Sequence, residues 1–174
     1  MDERLEVPYT HRFAEMVDIL DDSGLLLAAT KRSGASNTMT IGWGTVGIIW
    51  GLPIFAVLVR PSRFTYEFIE HSHEFTVNVP SAELRRFVDF CGTHTGRDVD
   101  KFAQFNVQTS PGRRVSSVTI DPCPWVYECR VVQKNDVLAS TFASQITSAY
   151  YPSGDYHRVY YGEIVGVFAT SGEK

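Results

Sequence analysis

The sequence predicts a mainly β protein with a few helices, for which a barrel is the most economical architecture. Three observations carry that prediction. Short apolar or β-branched runs of strand length, LLLAAT at 25–30, PIFAVLV at 53–59 and EFTVNVP at 74–80, are bounded by glycine, proline or polar turn residues. Few segments repeat apolar residues at helical spacing, and those are short. The second half of the chain is a succession of brief strands and turns, which pair most simply as antiparallel neighbours.

Taken in order, residues 11–20 place Phe13, Met16, Val17 and Leu20 three and four apart, the pattern of an amphipathic helix. Gly24 opens the strand at 25–30, and 31–35 is a polar, glycine-containing turn. The next strand begins near Ser36. Along NTMTIGW at 37–43 polar and apolar residues alternate only in part, so one face reads as core and the other meets something that is neither water nor plain core. No charged residue occurs from 33 to 59, yet Gly42, Gly44, Gly47, Gly51 and Pro53 interrupt the run. It therefore lacks the stretch of about eighteen apolar residues that a membrane helix needs, and two buried strands with turns fit it better. Pro61 breaks the strand at 53–59. Ser62 is a good N-cap for a helix continuing to about residue 71, with Phe64, Phe68 and Ile69 inward. In the strand at 74–80, Phe75, Val77 and Val79 point one way while Thr76 and Asn78 point the other. A second Ser-capped helix follows at 81–90. In CGTHTGRDVDKF at 91–102, Gly92 and Gly96 permit a tight loop and Asp98 can cap a short helix ending near Phe105. Beyond a turn-rich stretch, 115–120 and 125–133 read as strands, with Lys134–Asp136 as a hairpin candidate. Residues 139–151 fit a strand or a short helix equally. Ser153, Gly154 and Asp155 form a turn, and 159–168 is the last strand.

With 174 residues, 44% of them hydrophobic, the chain can bury one substantial core and reads as one domain. Sixteen basic and twenty acidic residues give a net charge of -4 with no basic run, which argues against a nucleic-acid surface. Three cysteines, Cys91, Cys123 and Cys129, suggest a reduced setting rather than a disulfide framework. The acidic start MDERLEVPYT lacks the apolar core of a secretory signal, so the cytoplasm is the expected location. No G-x-S-x-G elbow, G-x-G-x-x-G fingerprint or P-loop is present. Cys91 with His94, and His71 with His73, are each only half of a metal site, so no metal is expected.

The most informative piece is RPSRFTYEFIE at 60–70, where a strand runs into a helix N-terminus. Such an end already carries partial positive charge and unpaired amides, so Arg60 and Arg63 there call for an anion. With the hydroxyls of Ser62 and Thr65 added, the set suits a phosphate dianion, although capping alone also explains Ser62. Arg97 and Lys101, one helical turn apart, can reach the same anion. The strand from Asn37, together with Asn78, supplies a polar wall, and Trp43 and Trp50 supply flat apolar surface. An elongated ligand with a phosphate at one end fits that description, and FMN is such a ligand. It would perform the redox chemistry itself while the protein binds its phosphate and orients its ring.

Together, NTMTIGWGTVGIIWGLPIFAVLVRPSRFTYEFI, FTVNVP, CGTHTGRDVDKF and GDYHRVYYGEIV resemble the flavoredoxin branch of the flavin reductase-like family, across about residues 24–167. The resemblance implies an FMN-binding split β-barrel, a homodimer with a flavin near each side of the subunit interface, and reduction by NADH or NADPH. Electrons would then pass to free flavin, a redox protein partner or a small acceptor. By matching motif, Asn37, Thr38, Met39 and Thr40 would line the ribityl chain and ring, and Arg60, Ser62, Arg63 and Thr65 would hold the phosphate. Asn78 would meet the ring edge or ribityl, and Gly96, Arg97 and Lys101 would complete the phosphate end. His157 would stand near the open face of the flavin, in a motif resembling the family's G-D-H, from which Tyr156 departs as one extra residue. The alternative from another class is a non-catalytic dimeric module that binds a flavin or another phosphorylated ligand.

Overall fold

The computed structural model describes residues 4–171. Its centre is an antiparallel sheet built from β2 (Leu25–Thr30), β3 (Ser36–Ile41), β4 (Gly44–Ile49), β5 (Leu52–Val59), β6 (Glu74–Val79), β9 (Trp125–Asp136) and β10 (Arg158–Thr170). The spatial order is β3-β2-β6-β9-β10-β5-β4, and a short β1 (Arg4–Glu6) adds to β10. A separate pair is formed by β7 (Thr109–Pro111) and β8 (Val118–Ile120). The two ends of the sheet are β3 and β4. The helices are α1 (Phe13–Asp22), α2 (Phe64–Ser72), α3 (Arg85–Thr93), α4 (Lys101–Phe105) and α5 (Ser144–Tyr150). No described helix is long and apolar enough to cross a membrane.

All six residues of β2 are buried, which explains the unbroken apolar run in the sequence. Leu25, Leu27 and Ala29 join the larger core cluster with Phe55, Val57, Phe75, Val77 and Tyr127. Leu26 and Ala28 join a smaller one with Phe87, Val88, Cys91 and Ile120, against which Phe102 and Phe105 pack. A strand covered on both faces gains hydrophobic stabilisation from every side chain, about 1.5–3 kcal/mol for each fully buried leucine. β6 is divided in the same way. Phe75, Val77 and Val79 enter the larger core. Thr76 and Asn78 are equally buried on the opposite side, where they hydrogen-bond β8.

Several boundaries differ from the expectations above. The glycine-punctuated stretch between β3 and β5 holds a full edge strand, β4, turned into β5 by Trp50 and Gly51 at φ 54 and 74. The helix expected from Ser62 starts at Phe64 with Arg63 as its N-cap, because the Ser62 hydroxyl donates to Asp155 instead. The one expected at 81–90 is a 3-10 turn at Ala82–Leu84 followed by α3, and the Ser81 side chain caps neither. Asp100, not Asp98, caps α4, its carboxylate accepting the Ala103 N–H at 3.0 Å. Lys134–Asp136 do not turn. They extend β9, held by Lys134 to Glu70 and by Asp136 to Arg158. The connection to β10 is longer, and its ambiguous stretch forms a 3-10 turn at Ala139–Thr141 and then α5.

Gly162 lies where β10 crosses the core at a register shift against β9. A Cβ there would stand 2.5 Å from Cζ of Phe75 and 2.8 Å from Cβ of Cys129, both fully buried. Gly162→Ala therefore overpacks the core, and denaturant unfolding should show a loss of about 1–3 kcal/mol.

Candidate functional site

The sheet leaves an open seam where the edge of β3 approaches the end of β5 and the start of α2. Thr40 ties this edge to the helical layer, its hydroxyl donating to the Val88 carbonyl of α3. Lys101 does the same one turn away. Its Nζ donates to the carbonyls of Thr38 at 2.9 Å and Cys91 at 3.0 Å. The cleft that remains has two compartments. One, of about 90 Å³, is lined by Asn37, Met39, Thr40, Ser62, Arg63 and Phe64 and, across from them, by Cys91, Gly92, His94, Thr95, Gly96 and Lys101. The other, of about 180 Å³, continues past Met39, Thr40 and Arg63 to Gly42, Trp43, Leu58, Arg60 and His157.

The first compartment is electropositive. Lys101 is only 3% exposed, and neither of its hydrogen-bond partners carries charge. Burial lowers its pKa below the ordinary lysine value, and the nearby Arg63 guanidinium pushes the same way, opposed by Cys91. Arg63 is exposed, at the uncapped N-terminus of α2, and no hydrogen bond or ion pair holds its guanidinium among the described residues. Two cations and the positive end of a helix thus share one cleft without a facing carboxylate. That donor set suits a phosphate group. Gly96 closes the compartment from the far side: a Cβ there would overlap Oδ1 of Asn37 and stand 3.0 Å from the Phe64 ring. Asn37, 6% exposed, is aimed by its amide, which donates to the Thr65 hydroxyl at 2.8 Å.

The second compartment is aromatic. His157 is buried, its ring centroid 4.9 Å from that of Trp43 and its Nδ1 2.7 Å from the Tyr151 hydroxyl. Desolvation lowers its pKa to about 4; Arg60 and Arg63 add to the effect and Asp155 opposes it. The imidazole is therefore neutral at pH 7, with one nitrogen engaged by Tyr151.

The structure thus brings together Asn37, Met39, Thr40, Trp43, Arg60, Ser62, Arg63, Gly96, Lys101 and His157 along one cleft. Five expected residues stand apart from it. Thr38 turns its hydroxyl to the Leu27 carbonyl, and only its own carbonyl serves the site, through Lys101. Thr65 is 1% exposed and acts behind Asn37. Asn78 meets no ligand surface: it is fully buried, donates to the Leu26 carbonyl and Thr76 and accepts the Ile120 N–H, so it fastens β6 to β2 and β8. Arg97 lies just outside, paired with Glu67 and stacked over Phe64. Trp50, expected beside the ligand, stands at the β4–β5 turn against Tyr161. Residues not anticipated are His94 and Thr95, reached through the loop after α3, and Tyr151 and Asp155, which come from the connection before β10. Burial raises the Cys91 thiol pKa to about 12, so it is no nucleophile at neutral pH. Larger hollows lie elsewhere, one of about 370 Å³ beside Arg4 and Glu128 and one of about 460 Å³ beside α1 and α3. Three of their charged groups are already engaged: Arg4 by three carbonyls, Glu128 by two backbone amides, and Arg85 by Asp22 and Asp89. Among the described residues no group of three or more His, Cys, Asp and Glu converges as a metal site would require.

The profile of the flavin reductase like domain family matches residues 22–174. An uncharacterized protein of Archaeoglobus fulgidus is 31% identical over 98 residues, which are 56% of this chain and 55% of that protein. An uncharacterized protein of Pyrococcus abyssi is 28% identical over 110 residues, or 63% and 62% of the two chains. These alignments thus span less than two thirds of either relative. Among solved structures, the flavoredoxin of Desulfovibrio vulgaris (Miyazaki F) gives a TM-score of 0.69 at 22% identity, covering 86% of this chain and 71% of that one. An FMN-binding domain of a flavin reductases-like enzyme from Shewanella baltica OS155 gives 0.69 at 18% identity, covering 98% and 80%. The shared architecture is a split β-barrel.

The environment of His157 has a measurable sign. Its folded pKa lies below that of an unfolded histidine, so the unfolded chain binds the extra proton first as pH falls. The stability that this site contributes is complete above about pH 6.5 and is lost progressively as pH drops towards 4. A titration of the imidazole resonances should find a midpoint near 4, with Arg60, Arg63, Asp155 and Tyr151 as the groups around it.

Proposed function

Because the chain belongs to the flavin reductase-like family, we propose that its cleft binds FMN and that the protein is an NAD(P)H-dependent flavin oxidoreductase. The observation that carries this reading is the pair of cations, buried Lys101 and the N-cap residue Arg63, that share a cleft with no carboxylate facing either of them. A phosphate seated there would relieve both at once and accept from the amides at the start of α2. Asn37, Met39 and Thr40 on the edge of β3 lead from that end to the second compartment, and the aromatic wall of Trp43 and His157 suits a flat ring system. The fit of donor set and shape is therefore good at both ends.

The chemistry that FMN supplies when bound is oxidation of a reduced nicotinamide and delivery of the electrons to free flavin, a protein partner or a small acceptor. The chain's own part is to bind and orient. Arg63 and Lys101 anchor the charged end, Gly96 keeps the approach to Asn37 open, and neutral His157 lines the end where a second ligand enters without adding charge of its own. The FMN-binding name of the Shewanella baltica neighbour supports the cofactor assignment. We further propose a homodimer formed through the exposed β4 edge and the turn after it, where Ile48 and Trp50 are 58% and 62% exposed. Sedimentation velocity at micromolar concentration should give twice the 19.5 kDa chain mass, and a monomer there would remove that proposal.

An absorption spectrum of the purified protein, with FMN added back if it is colourless, followed by anaerobic addition of NADH and then NADPH, tests the main reading. Bleaching by either establishes the oxidoreductase and names its donor. A bound flavin that neither reduces points instead to the non-catalytic module or to a relay reduced by another protein. Failure to bind FMN overturns the assignment. Arg63→Ala should weaken FMN binding about 10- to 100-fold, the loss of one or more charge-assisted hydrogen bonds, with the fold intact by circular dichroism. Unchanged affinity would sink the phosphate site.

A further inference from the structure

Arg60 and Ser62 sit beside Arg63 in sequence and resemble parts of the same anion site, but the structure engages both elsewhere. The Arg60 Nη2 donates to the Tyr150 carbonyl at 2.8 Å and Nη1 to the Asp155 carbonyl at 3.1 Å. Its guanidinium lies over the Tyr151 ring, 5.0 Å from the centroid, and Nη1 is 4.0 Å from the Asp155 carboxylate. Ser62 donates to the same carboxylate at 2.6 Å. The segment they hold, residues 137–157, is otherwise fixed mainly by Trp43, whose ring packs against Tyr150, Tyr151 and His157. Of its side chains only Tyr151 and His157 are buried, and α5 buries none. Gly154 and Asp155 stand at φ 80 and 54, two consecutive left-handed residues that turn the chain back towards Ser62.

We propose that Arg60 is a positioning residue for the substrate end of the cleft rather than a phosphate ligand. Through Tyr150, Tyr151 and Asp155 it latches residues 150–157 against β5, and so fixes His157 beside Trp43. The fork geometry of arginine is what permits this, since two backbone carbonyls five residues apart are reached by one planar group. Ser62 and the Asp155 carboxylate are the second fastening. The anchor end of the cleft is left to Arg63 and Lys101. The phosphate part of this division rests on the FMN reading above, whereas the latch itself stands on contacts within the chain.

The test uses hydrogen exchange of the flavin-free protein together with FMN titration, on wild type, Arg60→Ala, Arg60→Lys and Arg63→Ala. Exchange within 137–157 should rise at least tenfold in both Arg60 variants, because in Arg60→Lys a single nitrogen on a shorter side chain replaces the two guanidinium nitrogens that reach the carbonyls, and should stay unchanged in Arg63→Ala. FMN affinity should fall at least threefold less in the Arg60 variants, which disturb only the ring end of the cleft, than in Arg63→Ala. The imidazole resonances of His157 should move towards those of a free histidine only when Arg60 is replaced, a signature that general destabilisation spread over the fold would not give. If exchange in 137–157 is unaltered, or if Arg60→Ala loses FMN as severely as Arg63→Ala, the latch is wrong. Failure of wild-type FMN binding would instead remove the cofactor reading and leave the exchange result to decide the latch. Arg60→Lys retains the charge and serves as the second variant if the alanine protein does not fold.

Discussion

The ammonium of Lys101 lies inside the protein with two carbonyl oxygens for company and no carboxylate, and much of the local architecture depends on that placement. An ammonium removed from water costs several kcal/mol unless charge or good hydrogen bonds replace its hydration. The two carbonyls offset part of that cost and in doing so fasten distant pieces together: Thr38 is on the edge strand β3 and Cys91 on α3. The Thr40 hydroxyl adds a second fastening from the same strand to the same helix. An open sheet edge invites pairing with another chain. Here the helical layer covers it, and the cleft is the space that this cover leaves. The residue that completes the cover is also the one that gives the cleft its charge.

The cleft is built on two kinds of scaffold. Its electropositive end stands on elements locked into both cores: β2 and β3, α2 with Phe68 and Ile69 inward, and α3 with Phe87, Val88 and Cys91 inward. Its aromatic end is completed by the connection 137–157, whose helix is buried nowhere and which is tied down by Arg60, Ser62 and the ring of Trp43 against Tyr150 and Tyr151. Local stability follows buried contacts, so these ends differ in how readily they open. A rigid anchor joined to a softer entrance would suit the proposed site, where one end holds a phosphate and the other admits a second ligand.

Much of this was legible in the sequence where one physical rule acted alone. LLLAAT, PIFAVLV and EFTVNVP formed strands because burial on both faces leaves no other use for such runs, and the sequence pointed to an anion site through Arg60 and Arg63, with Arg97 and Lys101 beside them, without separating the pairs that the fold splits. The rest depended on contacts between residues remote in sequence. Asn78 looked like a ligand-facing amide because it alternates with the core residues of β6, but the opposite face of β6 is covered too, and β8 takes up its hydrogen bonds. Ser62 has the chemistry of an N-cap, and nothing nearby in sequence shows that Asp155 will claim its hydroxyl. Asp98 and Asp100 are both plausible caps two residues apart, and the register of α4 decides between them. Gly44 and Gly47 read as turn signals although an edge strand tolerates them, since one of its sides has no partner to satisfy.

The charge count around the cleft separates ligand residues from structural ones better than residue type does. Four cations, Arg60, Arg63, Arg97 and Lys101, come from its immediate surroundings. Arg97 faces Glu67, and Arg60 faces Asp155 and two carbonyls. Arg63 and Lys101 face no carboxylate, so they leave about two positive charges uncompensated in a protein whose overall charge is -4. A phosphate monoester carries about −1.5 to −2 near neutral pH, which matches that surplus. A neutral or singly charged end group would leave part of it unbalanced beside a helix N-terminus that already favours anions. By this measure the arginine that sequence proximity groups with the anchor belongs with the connection, and the lysine forty residues downstream belongs with the anchor.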